Sequence, residues 1–304
     1  MRAMERPGSL ARDWTALLLA AVLTLTLPVA AACQRGGAPD REATRMNTQL
    51  LQAQLDAGSG DAVETSRRLA AAALPVLAAR TTAASTDERV LVVECFAAVG
   101  GEEASRALVA ALSDPEIDVW NTALVGLHTC FTPGIVRPLL QLLRDSPHAR
   151  VRGEIGRILG RIGDPAALVL LREQARVESD PEAVAKINLG VARLEDGAER
   201  RQVVDRLGDP DARVRYRAIG ELEYVNDRGL LAHLRPLLAD EAPVENVGQE
   251  RWPVWHRVCD RAVEAVAVLS GGALTFPLGR RTYSAAEIGQ ARAIVDGVGG
   301  EKGR

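Results

Sequence analysis

The chain has 304 residues and is 47% hydrophobic, enough to bury a core in one long or two ordinary domains. Aromatic residues make up only 3%, while Ala, Leu, Val and Arg dominate, a balance that favours helix over sheet. The 37 basic and 40 acidic residues are interspersed and leave a net charge of -3, which excludes the basic footprint of a nucleic-acid binder and a polybasic tract for anionic lipid.

Arg2, Arg6 and Arg12 give a basic start, diluted by Glu5 and Asp13. Trp14 to Ala32 carry no charge, and Leu17 to Leu27 form a dense apolar run broken by Pro28. Three alanines, Ala30 to Ala32, close the pattern of a secretory signal over residues 1–32. Cys33 follows directly, and Val29 to Cys33 resembles a bacterial lipoprotein signal, whose small-residue box ends at a Cys that is lipidated and becomes the new N-terminus. The resemblance implies lipid attachment at Cys33 and an exported, membrane-anchored protein of the bacterial cell envelope, on its periplasmic side. Ala30 stands where such boxes usually carry Leu, so two further readings stay open. One is cleavage after Ala32 to give a soluble secreted protein. The other is a retained anchor, barely long enough to span a bilayer at about 20 residues. Residues 33–45, rich in Gly, Ala and charge without periodicity, read as a flexible linker.

Residues 46–298 read as one solenoid. Met46 to Leu55 and Asp61 to Ala79 are expected to be helices of an N-terminal cap, residues 46–85, with the second kinked at Pro75. Over residues 86–240 one phrase recurs: an acidic turn with Pro, a Val, a helix, a polar turn, and a second apolar helix. The turns are Ser113-Asp114-Pro115, Asp145-Ser146-Pro147, Ser179-Asp180-Pro181 and Gly208-Asp209-Pro210, with Asp240 to Pro243 as a looser fifth. Val119, Val151, Val184 and Val214 follow the first four, a second mark of the same period. Val151, Ile155, Ile158, Leu159 and Ile162 form one helical stripe, as do Val214, Ala218, Ile219 and Leu222. Their partner helices carry Ala167, Leu168, Leu170 and Leu171, and Leu230, Leu231, Leu234, Leu237 and Leu238. Gly163 and Gly197 are expected to stop helices in left-handed geometry. Residues 241–253 read as a polar insertion, and residues 254–298 as a C-terminal cap with helices Val254 to Leu269 and Ala285 to Val295.

The Asp-Pro turns, Val151-Arg152, Val214-Arg215 and Leu159-Gly160 resemble the HEAT-like repeats also seen in phycobilisome lyase subunits. That resemblance implies an all-α solenoid in which the Val-opened helices line the concave side. It also implies a ladder of Arg and turn Asp, matched here by Arg152 with Asp145 and Arg215 with Asp209, and interrupted at Trp120 and Ala185. Such solenoids are scaffolds with many kinds of partner.

Candidate sites are few. Cys95, Cys130 and Cys259 lack metal-ligand spacing and read as core residues, with a Cys95–Cys130 disulfide as the other reading. His128 and Cys130 stand two apart, on different faces of a helix. The sequence holds no nucleophile elbow, His-Glu-x-x-His run or phosphate loop, so no cofactor, metal, small-molecule substrate or catalytic set is expected. For protein binding the candidates are Trp120, Arg152, Tyr216, Arg217 and Tyr224, joined by Trp252, Trp255 and His256 near the insertion, since Trp, Tyr and Arg anchor interfaces. Each has an alternative as inter-repeat packing. The expected function is a non-catalytic, lipid-anchored scaffold. A second reading, a lyase-like or other enzyme-associated module, rests on the family resemblance alone.

Overall fold

The computed structural model describes residues 41–248 and 254–301; the signal segment, Cys33, most of the linker and Trp252 lie outside this range. The described chain is an all-α solenoid with one two-stranded ribbon. Helix α1 spans Arg41–Asp56, so Arg41 to Arg45 belong to its first turns and not to a linker. Helix α2 (Asp61–Leu69) ends at Ala70, whose φ is 49°, and continues as a 3-10 turn, Ala70–Ala73, into α3 (Leu74–Ala78). The break falls one turn before Pro75, because the proline ring and its missing N–H disturb the turn that precedes it.

Five hairpin units follow. Their first helices are α4 (Thr86–Val99), α6 (Ile117–Thr129), α8 (Ala149–Ile162), α10 (Pro181–Leu194) and α12 (Ala212–Val225). Their second helices are α5 (Gly101–Ala111), α7 (Val136–Asp145), α9 (Ala167–Val177) and α11 (Ala198–Arg206). The fifth unit departs: its leucines lie on 3-10 segments, Arg228–Leu234 and Leu237–Ala239, where Pro236 denies an α-helix the N–H it needs. Leu230, Leu231, Leu234, Leu237 and Leu238 are buried nonetheless. Strands β1 (Pro243–Asn246), in the expected insertion, and β2 (Trp255–Arg257), in the expected C-terminal helix, pair antiparallel. Helix α13 therefore starts at Val258, and α13 (Val258–Ser270) and α14 (Ala285–Glu301) close the stack.

Most of each helical stripe is buried: Val151, Ile155, Ile158, Leu159, Ile219 and Leu222 are fully enclosed and Ala218 nearly so, while Ile162 and Val214, at stripe ends, are half-buried. Gly163 ends α8 in the left-handed region, at φ 79°, with its N–H on Leu159 O. Gly197 does not stop a helix; it is the extended N-cap of α11, three residues beyond the end of α10. Asp180 and Asp211 cap α10 and α12 through their carboxylates.

The turn ladder differs from the one the family resemblance implies. Arg152 bonds both oxygens of Glu178, in the next turn, at 2.6 and 2.7 Å, and donates to Ser146 O at 2.8 Å. Arg215 pairs with Asp240 at 2.7 Å and donates to Asp209 O at 2.7 Å. Arg89 repeats the arrangement, with Asp114 at 2.8 and 3.0 Å and Ala83 O at 2.9 Å. In all three the acid also accepts a backbone N–H two residues onward, from Glu116, Asp180 and Ala242. The carboxylate of Asp209 accepts the N–H of Asp211, and Asp145 takes no part in the clamp. Geometry explains this: an Arg stretched along its own turn's carbonyl aims its fork at the turn arriving from the next unit.

Arg89, Arg152 and Arg215 are spaced by 63 residues, so the structural repeat is a double unit. The contacts agree: α4 packs on α6, α8 on α10 and α12 on α13, whereas α6–α8 and α10–α12 meet less extensively. The core divides at the second of these joints, one cluster running from Leu51 to Val191 and the other from Ala192 to Val295. The Arg152 clamp holds Glu178 down to about 2, from an ordinary value of 4.5, chiefly through the guanidinium hydrogen bonds. A lowered carboxylate stabilises above its unfolded value and loses that contribution as pH falls toward the folded value. The clamp is thus expected to weaken between pH 4.5 and about 2. Glu178→Gln should cost about 2 kcal/mol at pH 7 and flatten the acid limb of thermal melts over that window.

Candidate interaction surface

Helices α4, α6, α8, α10, α12 and α13 form one layer, each packed on the next, and the second-layer helices pack chiefly against this layer. The more closely stacked layer, the one that the HEAT-like resemblance implies to be concave, is termed the inner face. Residues five after the clamp position share one register on successive helices: Glu94 after Arg89, Val125 after Trp120, Arg157 after Arg152, and the first two line one groove.

At the N-terminal end, Val63, Arg67, Glu94, Ala97, Val125 and Thr129 line a groove of about 320 Å³ across α2, α4 and α6. Its floor is apolar, and burial pushes the Glu94 carboxyl above its ordinary value.

The middle of the inner face is basic. Glu154 on α8 meets His128 Nε2 at 3.0 Å, Lys186 Nζ at 3.0 Å and Arg157 at 3.4 Å. Burial alone would raise this carboxyl, but the His128 hydrogen bond and the cations around it hold it well below the carboxylate range. Tyr224 on α12 reaches over α10 to donate to Arg157 O at 2.5 Å, and the guanidiniums of Arg157 and Arg193 lie 5.2 and 5.3 Å from its ring centre. Gly160 leaves the space for it; a Cβ there would stand 2.4 Å from the Tyr224 hydroxyl. Arg161 bonds His128 O at 2.5 Å and covers the Phe131 ring, and Arg193 donates to Tyr224 O.

The C-terminal end holds a buried network in which Tyr216 and His256, named from the sequence, join Glu223, Arg261 and Glu264, which were not. Arg261 joins Glu223 at 2.5 Å and Glu264 at 2.9 Å. His256, fully buried, shares a hydrogen bond with the Tyr216 hydroxyl through Nδ1 at 2.7 Å and faces Glu264 at 3.4 Å with Nε2. Tyr216 also reaches Glu245, which Arg280 pairs. Burial, only partly opposed by Arg261, pushes Glu223 up to about 7. Only Arg261 and Glu264, one turn apart on α13, form a pair that spacing could have shown.

The binding candidates separate accordingly. Trp120 is 4% exposed and stacks on His148 with ring centres 5.2 Å apart, so it fills an inter-repeat gap and is not a surface anchor. Arg152 is committed to its clamp, and Tyr216 and Tyr224 are half-buried hydrogen-bonding links. Arg217 is exposed and lines a groove of about 500 Å³ between α10, α11 and α12, beside Asn188, Arg206 and Glu221. Trp255 is half exposed on β2. Cys95, Cys130 and Cys259 are free thiols; burial pushes Cys259 up to about 11, while Cys130 approaches Ser105 and not His128. Among the described residues no group of His, Cys, Asp and Glu could hold a metal, and no helix is long and apolar enough to cross a membrane.

Residues 107–190 match the family of HEAT repeats. No curated protein matches the chain. The complex of CpcE and CpcF of phycocyanin lyase from Nostoc sp. PCC7120 is similar at 14% identity, over 90% of this chain and 98% of that one, with a TM-score of 0.48. Human deoxyhypusine hydroxylase in complex with glycerol is similar at 15% identity over 83% and 98%, with a TM-score of 0.34. An engineered protein is similar at 16% identity over 87% and 75%, with a TM-score of 0.38. None of these likenesses bears on activity. The chain is an α-solenoid of helical hairpins, and its segment 107–190 carries HEAT repeats.

Proposed function

We propose that this chain is a non-catalytic scaffold that binds a protein partner along its inner face and is tethered to a bacterial membrane by lipid on Cys33. The observation that supports binding is that the inner face is shared between units. The groove at Glu94 and Val125 is built by three successive helices, and the basic patch by three more. A surface assembled from several repeats suits an extended partner better than a small substrate, which an enclosed pocket with convergent polar groups would hold. Tethering is supported by the sequence of residues 1–33: a basic start, an apolar run and a small-residue box ending in Cys. Several acyl chains at one Cys would anchor stably where a single chain binds marginally.

Full-length protein and a Cys33→Ala variant, fractionated in parallel, test the tether. Wild type is expected in the membrane fraction and the variant in the soluble one; identical partitioning contradicts the tether. For the scaffold, a partner co-purifying with the full chain should be lost with Val125→Glu, in the inner groove, and retained with Val177→Glu, exposed on α9. Equal retention by both variants contradicts inner-face binding.

A further inference from the structure

The basic middle of the inner face carries more charge than its own chain neutralises. Arg161 and Arg193 take part in no ion pair among the described residues, and no carboxylate perturbs either. Burial, followed by the charges of Arg193 and Arg157, pushes the Arg161 guanidinium below its ordinary value. Like charges are therefore held together in a half-buried setting. Arg157 adds an independent mark: its Nε is buried with no hydrogen-bond partner. The one nearby carboxylate, Glu154, is already shared among His128, Lys186 and Arg157. Tyr224, fixed between Arg157 and Arg193, presents a flat wall beside them.

We infer that Arg157, Arg161 and Arg193 form a docking site for an acidic segment of the protein partner. The inference rests on the scaffold reading and names the chemistry of what the scaffold binds. Spacing favours a peptide over a lone anion. Arg157 and Arg161 are separated by one helical turn, about 6 Å along the axis. Arg193 belongs to the next inner helix, with packed helix axes about 8–10 Å apart. In an extended chain, alternate side chains repeat about every 6.8 Å on one face. Successive acidic residues of such a segment can meet successive guanidiniums, each in a fork geometry suited to carboxylate.

The test uses the full-length chain and a fluorescein-labelled decaglutamate peptide read by anisotropy, with decaserine as the neutral reference. Decaglutamate is expected to bind and to weaken steeply with salt, as a screened charge contact must. The Arg161→Gln/Arg193→Gln pair should weaken it tenfold or more, while Arg176→Gln/Arg201→Gln, both exposed on second-layer helices, should leave it unchanged. Absence of binding, or equal loss in both pairs, overturns the inference. Displacement of the peptide by an equimolar amount of inorganic phosphate also overturns it, since the site would then serve a small anion. A benzophenone-bearing decaglutamate on wild-type protein covers the case in which the glutamine pair does not fold. Cross-links on α8, α10 and α12 support the site, and cross-links elsewhere contradict it. If decaglutamate fails while a partner still depends on Val125, the acidic-segment inference falls and the scaffold stands; the reverse pattern removes the scaffold alone.

Discussion

Replacing Gly190 by Leu is expected to break the solenoid at its middle. A Cβ at this position would stand 2.2 Å from the carbonyl oxygen of Gly156, a backbone atom that no rotamer change can move. Gly156 and Gly153 face the same contact: a Cβ added to them would stand 2.8 Å from the Ile187 Cα and 2.9 Å from the Ala183 Cα. Helices α8 and α10 therefore touch backbone to backbone, the closest approach in the stack. Overpacking typically costs about 1–3 kcal/mol and occasionally more. Here the whole α8–α10 joint must separate, so a loss of at least about 3 kcal/mol is expected by urea denaturation. Gly163→Ala, where nothing lies within 4 Å, is strained only by its φ of 79° and should cost about 1 kcal/mol. Equal losses at the two positions would contradict the close-approach account.

Asp260→Ala is expected to have a comparable effect at the C-terminal end. Asp260 is fully buried and accepts the Arg257 N–H at 2.9 Å, its guanidinium at 2.8 and 2.9 Å, and the Tyr283 N–H at 2.8 Å. One carboxylate thus starts α13, fixes the chain leaving β2 and docks the loop before α14. Burial alone would raise its titration; the Arg257 hydrogen bonds and the two backbone N–H groups outweigh that and hold it below the ordinary carboxylate value. Removing one partner of a buried pair costs about 3–5 kcal/mol, because the other partner stays behind unmatched. The variant should melt earlier and lose amide protection first around Tyr283 and α14. A loss under about 1 kcal/mol would show that solvent replaces the carboxylate, contrary to its buried geometry.

How much of this the sequence carried depends on range. The hairpin period was legible because turn prolines and Val marks act within one unit, and stripes such as Val151 to Leu159 report a face directly. The acids of the clamp were not legible, because Glu178 and Asp240 come from the following turn and only three-dimensional stacking brings them to Arg152 and Arg215. Arg89 carries no Val mark before it, although its 63-residue distance to Arg152 was there to count. Strands β1 and β2, four and three residues long, are too short to show alternation. Trp120 was open to two readings, interface anchor or inter-repeat filler, and only the stack on His148 decides for the filler, because residue type and periodicity do not tell the two apart. The basic cluster was invisible for a related reason: Arg157, Arg161 and Arg193 are ordinary helix arginines until Gly190 brings α10 against α8 and Gly160 admits the Tyr224 hydroxyl.

Photo-cross-linking from single positions on the full-length chain tests the inner-face account most directly. A benzophenone amino acid at Val125 or at Thr129, in the inner groove, is expected to capture the same discrete protein, while one at Val169 or Val177, exposed on α9, captures none. Capture from Val169 and Val177 with silence at Val125 and Thr129 would contradict it, and would move binding to the outer layer.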